Sequence, residues 1–198
     1  MKLDPKTDAL ILVDVQNDFC PGGALPVPEG DQVVPILNKL LQEEGVLAVA
    51  TRDWHPPDHC SFVTRGGPWP IHCVAGTPGA EFHPKLERSR IEHVITNKAT
   101  ARDEEAYSGF QGTNLAALLR QRGIRRLLMG GLATDYCVKA TALDARKDGF
   151  EVFLLTDAIR AVNVQPRDGD RAIQEMKAAG VVPITSADIE LPTATPAR

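Results

Sequence analysis

The chain has 198 residues and a formal net charge of −4, from 22 basic and 26 acidic side chains. This length suits one domain with a core that needs no disulfide, and we expect residues 1–198 to form it. The charges form no basic stripe, which argues against nucleic-acid or membrane-surface binding. The N-terminal apolar run, residues 9–13, is too short for a signal-peptide core or a membrane span, so we expect a cytoplasmic protein.

Predicted strands and helices alternate along the chain. Apolar runs predict strands at residues 8–15, 46–51, 93–97, 124–129, 150–156 and 181–184. Apolar residues at helical spacing predict helices at 31–44, 113–122, 167–179 and from about Cys137 onward. This alternation predicts an α/β fold of three layers (α/β/α), Rossmann-like, with a central parallel sheet of about six strands. The pattern does not give the strand order.

A long irregular region follows the second predicted strand. Residues 52 to about 86 are rich in Pro, Gly, His and Trp. Loops of this length are usually functional or disordered, and the tryptophans and histidines argue against disorder. We therefore interpret residues 52–86 as an insertion that carries a binding site.

The stretch GGLATDYCV, residues 130–138, places a cysteine at a helix start. A strand, two glycines and a helix predict that Cys137 lies in the first helical turn, where free N–H groups and the helix dipole favour a thiolate. A buried structural cysteine is the alternative. The chain has four cysteines and no CxxC pair, so we expect free thiols.

Reactive side chains follow four predicted strands. Asp14, Asp53 with His55, Lys98 and Cys137 each lie near a strand's carboxyl end, the edge at which parallel sheets bind ligands. Taken singly, Asp14 could cap a loop and Lys98 could be a solvated surface residue. Their shared edge favours a functional role.

Asp14, Lys98 and Cys137 together suit nucleophilic catalysis. Asp14 could accept the thiol proton, and the Lys98 ammonium could favour both the carboxylate and the thiolate. Backbone N–H groups of Ala133 and Cys137 could form an oxyanion hole. The combination indicates acyl transfer from an amide through a covalent thioester.

The long loop carries candidate metal ligands. Asp53 and His55 lie two residues apart, on one side of an extended strand, and His72 follows. One carboxylate and two imidazoles suit zinc or another borderline divalent metal. His59 could be a further ligand or could orient one. A lone D-x-H match is common by chance, so the prediction of a metal site depends on the additional histidines.

Three aromatic residues flank the same edge: Phe19, Trp69 and Tyr107. Flat walls suit a flat ring substrate, and loop packing is the alternative.

Five segments, in order, resemble one known family. VDVQNDFCPGGAL, TRDWHPPDHCSF, GGPWPIHCVAGTPGAEFHP, EEAYSGF and GLATDYCVKATALDA are similar to nicotinamidases, which are isochorismatase-like cysteine hydrolases. The resemblance runs from about residue 9 to residue 156. Related sequences often have Gly-Thr after the lysine, where this chain has Ala99 and Thr100.

The resemblance implies an isochorismatase-like fold and hydrolysis of nicotinamide to nicotinate and ammonia in NAD salvage, with pyrazinamide as a second substrate. It implies the triad of Asp14, Lys98 and Cys137, and a cis peptide bond before Ala133. It also implies one divalent metal, zinc or else iron or manganese, with ring walls at Phe19 and Trp69. The implied metal ligands are Asp53, His55, His72 and, in some members, His59.

Other functions stay open at this point. Another cysteine amidase of the superfamily, acting on a carbamoyl compound or a different small amide, is the main alternative. An isochorismatase-type hydrolase fits less well, because those proteins lack the nucleophilic cysteine. A metal-binding or redox-sensing module would leave Asp14 and Lys98 unexplained. The sequence does not say whether the chain forms a homo-oligomer.

Overall fold

A computed structural model describes residues 1–91 and 93–190. The strands are β1 Asp8–Val13, β2 Leu47–Asp53, β3 His93–Lys98, β4 Arg126–Leu132, β5 Glu151–Arg160 and β6 Val182–Ile184. The α-helices are α1 Val33–Leu40, α2 Leu115–Gln121, α3 Lys139–Lys147 and α4 Asp168–Ala178. Over the described ranges, no helix combines the length and the apolar content needed to span a bilayer.

The strands form one six-stranded sheet in the order β3-β2-β1-β4-β5-β6, and every neighbouring pair is parallel. Helices cover both faces. Leu10 and Leu12 of β1 point into the core beneath α1, whereas Ile11 and Val13 belong to the core shared with α2, α3 and α4. The α/β fold with a parallel sheet of about six strands is therefore confirmed.

The strand order brings the predicted reactive residues together. The central strand β1 lies between β2 and β4, and Asp14 directly follows its carboxyl end. Asp53 ends β2 and pairs with Lys98, which ends β3. Because parallel strands share one carboxyl edge, these side chains and the turn after β4 meet on the same side of the sheet.

The fourth strand is longer than the apolar run predicted. It continues through Gly130 and Gly131 to Leu132, so the two glycines belong to the strand and not to the turn. Gly131 has a φ of 125°, and a Cβ there would lie 2.0 Å from the carbonyl oxygen of Val13. Only glycine allows β4 to approach β1 this closely before the nucleophile turn.

The prediction that Cys137 lies in the first α-helical turn is wrong. The residue lies in a π-helical turn, Thr134–Val138, that precedes α3. The carbonyl oxygen of Ala133 accepts hydrogen bonds from Tyr136 N–H and Val138 N–H, both at 3.1 Å. The wider turn places the cysteine between the end of β4 and the helix. π-turns of this kind are frequent at functional sites.

Candidate active site

Lys98 is the centre of the site. Its Nζ lies 2.9 Å from Asp14 Oδ2 and 3.3 Å from Cys137 Sγ. The same ammonium donates hydrogen bonds to Asp53 Oδ1 and to the carbonyl oxygen of Ala106. Lys98 is only 2% exposed, and both aspartates and the cysteine are buried with it. The structure therefore brings the three predicted catalytic residues into one buried cluster.

Burial and charge act in opposite directions on these groups. Burial alone would lower the pKa of Lys98, but the charges of Asp14 and Asp53 hold that pKa well above its ordinary value. Burial raises the pKa of Asp14 and the pKa of the Cys137 thiol, and the Lys98 ammonium opposes both shifts. The resting site is therefore best described as an ammonium beside a neutral thiol, with a carboxylate that binds protons more readily than usual.

Thr51, which the sequence analysis did not single out, orients the Asp14 carboxylate. Its Oγ1 donates a hydrogen bond of 2.7 Å to Asp14 Oδ1. The other oxygen, Oδ2, is buried and pairs with the Lys98 ammonium at 2.9 Å. Carboxylate oxygens of Asp14 and Asp53 and the Cys137 sulfur lie within 4.8 Å of one another. Asp14 thus keeps one oxygen within reach of the thiol.

Gln16, also missed from the sequence, holds the backbone of Asp53. Its Oε1 accepts the Asp53 N–H at 2.7 Å, and its Nε2 donates to the Asp53 carbonyl oxygen at 2.8 Å. Nε2 also donates to the Ala80 carbonyl oxygen at 2.9 Å. The fully buried amide therefore ties the end of β2 to the long loop.

A cluster of candidate metal ligands, here called the metal group, consists of Asp53, His55 and His72. Their ligand atoms lie within 4.8 Å of one another. His55 Nδ1 lies 3.2 Å from the Ala99 carbonyl oxygen, and His72 Nδ1 lies 2.8 Å from that of Pro70. Because a carbonyl oxygen only accepts, each Nδ1 carries a proton, and each Nε2 is left with a lone pair.

The electrostatics of the metal group suit a cation. His55 Nε2 is buried and has no hydrogen-bond partner within the described part of the chain. Burial lowers the pKa of His72, which favours the neutral, ligating imidazole. Burial alone would raise the pKa of the Asp53 carboxyl, but the Lys98 ammonium holds that pKa below its ordinary value. These residues could hold a divalent metal ion, and the orphaned nitrogen supports that fit.

His59 lies beside the metal group, not in it. Its Nδ1 is 2.7 Å from Ser61 Oγ and its Nε2 is 2.9 Å from the Glu104 carbonyl oxygen. The His59 ring stacks on the ring of His55, with centroids 4.3 Å apart. Of the two roles considered for it, the structure favours orientation of His55 over direct ligation.

The predicted aromatic residues Phe19, Trp69 and Tyr107 line one cavity, together with Asp53, His72, Ala133 and Cys137. Trp69 Nε1 donates a hydrogen bond of 2.9 Å to the Tyr107 hydroxyl. Burial raises the pKa of Tyr107 to about 12, so the phenol stays neutral. Candidate metal ligands and the thiol thus open into the same aromatic space. Leu25, Tyr136 and Val162 complete the lining and were not predicted.

Asp135 connects the nucleophile turn to a wall of this cavity. Its carboxylate accepts the N–H of Val162 at 2.9 Å and the N–H of Asn163 at 2.8 Å. Asp135 is buried, and it lies two residues before Cys137. The position of Val162 therefore depends on the same turn that carries the thiol.

Residues 8–188 match the model of the isochorismatase domain. The chain belongs to the isochorismatase family. It is similar to the nicotinamidase of Escherichia coli (strain K12), with 43% identity over 92% of this chain and 96% of the relative. The peptide bond between Leu132 and Ala133 is cis, as the resemblance implied.

Two solved structures are similar to this chain over nearly their whole length. Pyrazinamidase of Pyrococcus horikoshii, in complex with zinc, is 55% identical with a TM-score of 0.84, over 90% of this chain and 98% of that one. PnC1 from L. infantum, in complex with nicotinate, is 42% identical with a TM-score of 0.91. The match covers 96% of this chain and 98% of that one.

Proposed function

We propose that this protein is an amidohydrolase that converts nicotinamide to nicotinate and ammonia, in NAD salvage. The observation that carries the proposal is the shared cavity. The Cys137 thiol, two members of the metal group and the three predicted aromatic side chains line the same space. The nicotinamidase relative at 43% identity and the zinc and nicotinate complexes of similar proteins support this substrate and a zinc ion.

The first half of the reaction acylates Cys137. Asp14 accepts the thiol proton, and the adjacent Lys98 ammonium stabilises the thiolate. The sulfur attacks the carboxamide carbon, and the carbonyl oxygen becomes an oxyanion. We assign its stabilisation to the backbone N–H groups of Ala133 and Cys137, because both residues line the cavity.

The second half releases both products. Protonated Asp14 returns its proton to the amide nitrogen, the C–N bond breaks, and ammonia leaves from a thioester. Asp14 then accepts a proton from water, which attacks the thioester carbonyl. The C–S bond breaks, nicotinic acid leaves and loses its carboxyl proton to water to become nicotinate, and the thiol regains its proton from Asp14.

Asp53, His55 and His72 would hold the metal, with His59 orienting His55. When bound, such a Lewis acid offers a coordination position to a ring nitrogen and so orients a pyridine or pyrazine amide. Phe19, Trp69 and Tyr107 supply flat, mainly apolar walls for that ring. Pyrazinamide, which has the same ring size and the same carboxamide, is therefore a second substrate.

Two further parts of the proposal concern organisation. We propose that the chain is one isochorismatase-like domain, in which the residues from about 52 to about 86 are the metal-binding insertion. NAD salvage is consistent with a cytoplasmic location.

Ammonia release from nicotinamide tests the proposal directly. We expect turnover by the wild type and by Cys60→Ala, a half-buried cysteine outside the triad, and a loss of at least about 1000-fold in Cys137→Ala. Hydroxylamine should trap nicotinoyl hydroxamate from the wild type and from Cys60→Ala, but not from Cys137→Ala. Equal rates for Cys137→Ala and wild type would rule out the thioester. Faster hydrolysis of an N-carbamoyl compound than of nicotinamide would instead favour the other amidase class.

A further inference from the structure

The Lys98 ammonium lies among three side chains that could themselves ligate a metal. One oxygen each from Asp14 and Asp53 and the Cys137 sulfur lie within 4.8 Å of one another. We call these three residues the second group. Lys98 Nζ contacts every member of it, at 2.9 Å from Asp14, at 3.3 Å from Cys137 and through a hydrogen bond to Asp53.

The second group has the character of a metal site. A thiol and two carboxylates are ligands of borderline divalent ions such as zinc, and all three residues are buried. Asp14 Oδ2 is buried and pairs with the Lys98 ammonium, so this cation stands where a metal ion would meet that oxygen. Asp53 belongs to this group and to the metal group, so one carboxylate would join two adjacent ions.

We propose that Lys98 is a built-in cation that occupies this second divalent-metal position and thereby keeps the Cys137 thiol free of metal. The inference rests on the proposed function for the roles of Cys137 and of the metal group. The inference also explains why the cation beside Cys137 is a lysine side chain and not a second metal ion. A thiolate that is bound to a metal ion is no longer available to attack the substrate carbonyl. An enzyme with a zinc ion close to its cysteine nucleophile must therefore prevent a sulfur–metal bond.

Charge balance supports the idea. Two carboxylates this close cannot both stay ionised in a buried site without a compensating cation. Lys98 supplies that charge in the intact protein. Without it the two acids must either share a proton or bind a cation, and the nearby thiol favours binding of zinc.

The test is the number of zinc ions per chain, measured by equilibrium dialysis and elemental analysis. We expect one for the wild type and for the exposed-lysine control Lys85→Ala, and two for Lys98→Ala. Adding Cys137→Ser to Lys98→Ala should weaken the second equivalent at least tenfold. Circular dichroism checks that each variant is folded.

Cobalt loading locates the second ion and also tests the intact protein. We expect no thiolate-to-cobalt charge-transfer band in the wild type, a band in Lys98→Ala, and its loss in the double variant. If Lys98→Ala does not fold, a Cys137-dependent band or a second bound ion in the wild type would still refute the proposal.

The outcomes separate this inference from the proposed function. A folded Lys98→Ala that binds no more zinc than the wild type means that the two acids share a proton, and overturns the inference. A wild type that binds no zinc contradicts the proposed metal. In that case, the inference would still be supported if Lys98→Ala bound one zinc ion and, when loaded with cobalt, showed the thiolate charge-transfer band.

Discussion

The carbonyl oxygen of Ala99 lies 3.2 Å from Nδ1 of His55, and Ala99 reaches this position with a φ of 52°. That backbone conformation is left-handed, which favours glycine and is unfavourable for a residue with a Cβ. Asp14 and Cys73 also have positive φ, and the Cys73 carbonyl oxygen accepts the His55 N–H at 3.0 Å. Three of the six non-glycine residues with positive φ in the described part of the chain thus belong to or adjoin the metal group and the triad, and such strain is common at functional sites.

Ala99→Val tests the importance of this carbonyl. A β-branched residue tolerates positive φ poorly, and Ala99 is buried. We expect a loss of about 2 kcal/mol in the free energy of unfolding and of about 10–100-fold in metal affinity. Denaturant unfolding and metal titration measure the two effects. Ala101→Val, at an exposed position, is the matched control and should be near neutral. Unchanged metal affinity in a destabilised Ala99→Val would mean that the carbonyl does not hold His55 in place.

The individual metal ligands can be separated by substitution. His55→Asn and His72→Asn each remove an Nε2 lone pair from the metal group, so we expect neither variant to retain stoichiometric zinc after dialysis. His59→Asn should retain one zinc ion per chain with at most about 100-fold lower affinity, because His59 bonds Ser61 and Glu104. A loss in His59→Asn as large as that in His55→Asn would make His59 a ligand.

Much of this architecture follows from the pattern of apolar residues, but the element bounds do not. The predicted helix at 31–44 is a 3-10 turn, Gly30–Gln32, followed by α1, which ends at Leu40. The fifth predicted strand ended at 156, whereas β5 continues to Arg160, because its later residues still pair with Gly131 and Leu132. Periodicity identifies which residues are buried, while pairing decides where a strand stops.

The site residues also divide into those that the sequence could predict and those that depend on tertiary structure. Asp14, Lys98 and Cys137 could be placed at one edge because parallel strands share their carboxyl ends. Thr51 and Gln16 could not, since their partners are defined by the strand order and by the path of the loop. The positive φ of Ala99 could not be predicted, because alanine seldom adopts that conformation.

Thr51→Val removes the hydroxyl that bonds Asp14 Oδ1 and keeps the shape of the side chain. This bond favours the ionised carboxylate and therefore lowers the pKa of Asp14; its loss must raise that pKa. Because the reaction needs ionised Asp14, we expect the acid limb of the kcat/KM profile to move to higher pH. At neutral pH, kcat/KM should fall about tenfold.

Thr51→Ser is the matched control for that change. It restores the hydroxyl, so the acid limb should return to its wild-type position even if the lost methyl group lowers stability. An acid limb that does not move in Thr51→Val would show that the hydroxyl has no part in setting the protonation of Asp14.

Asp135→Asn tests the connection between the nucleophile turn and the cavity wall. The amide can accept with only one oxygen, so one of the two bonds to the Val162 and Asn163 N–H groups is lost. We expect a destabilisation of about 1–3 kcal/mol. Because Val162 lines the cavity, KM for nicotinamide should rise several-fold while kcat changes less.

The matched control is Asp170→Asn, which removes an exposed carboxylate from α4 and should change stability by less than about 0.5 kcal/mol with KM unaltered. The split between KM and kcat distinguishes a displaced wall from general loosening of the turn. If Asp135→Asn lowered kcat and left KM unchanged, the carboxylate would act on the position of Cys137 itself. The loop from β5 to α4 would then have no part in holding the ring.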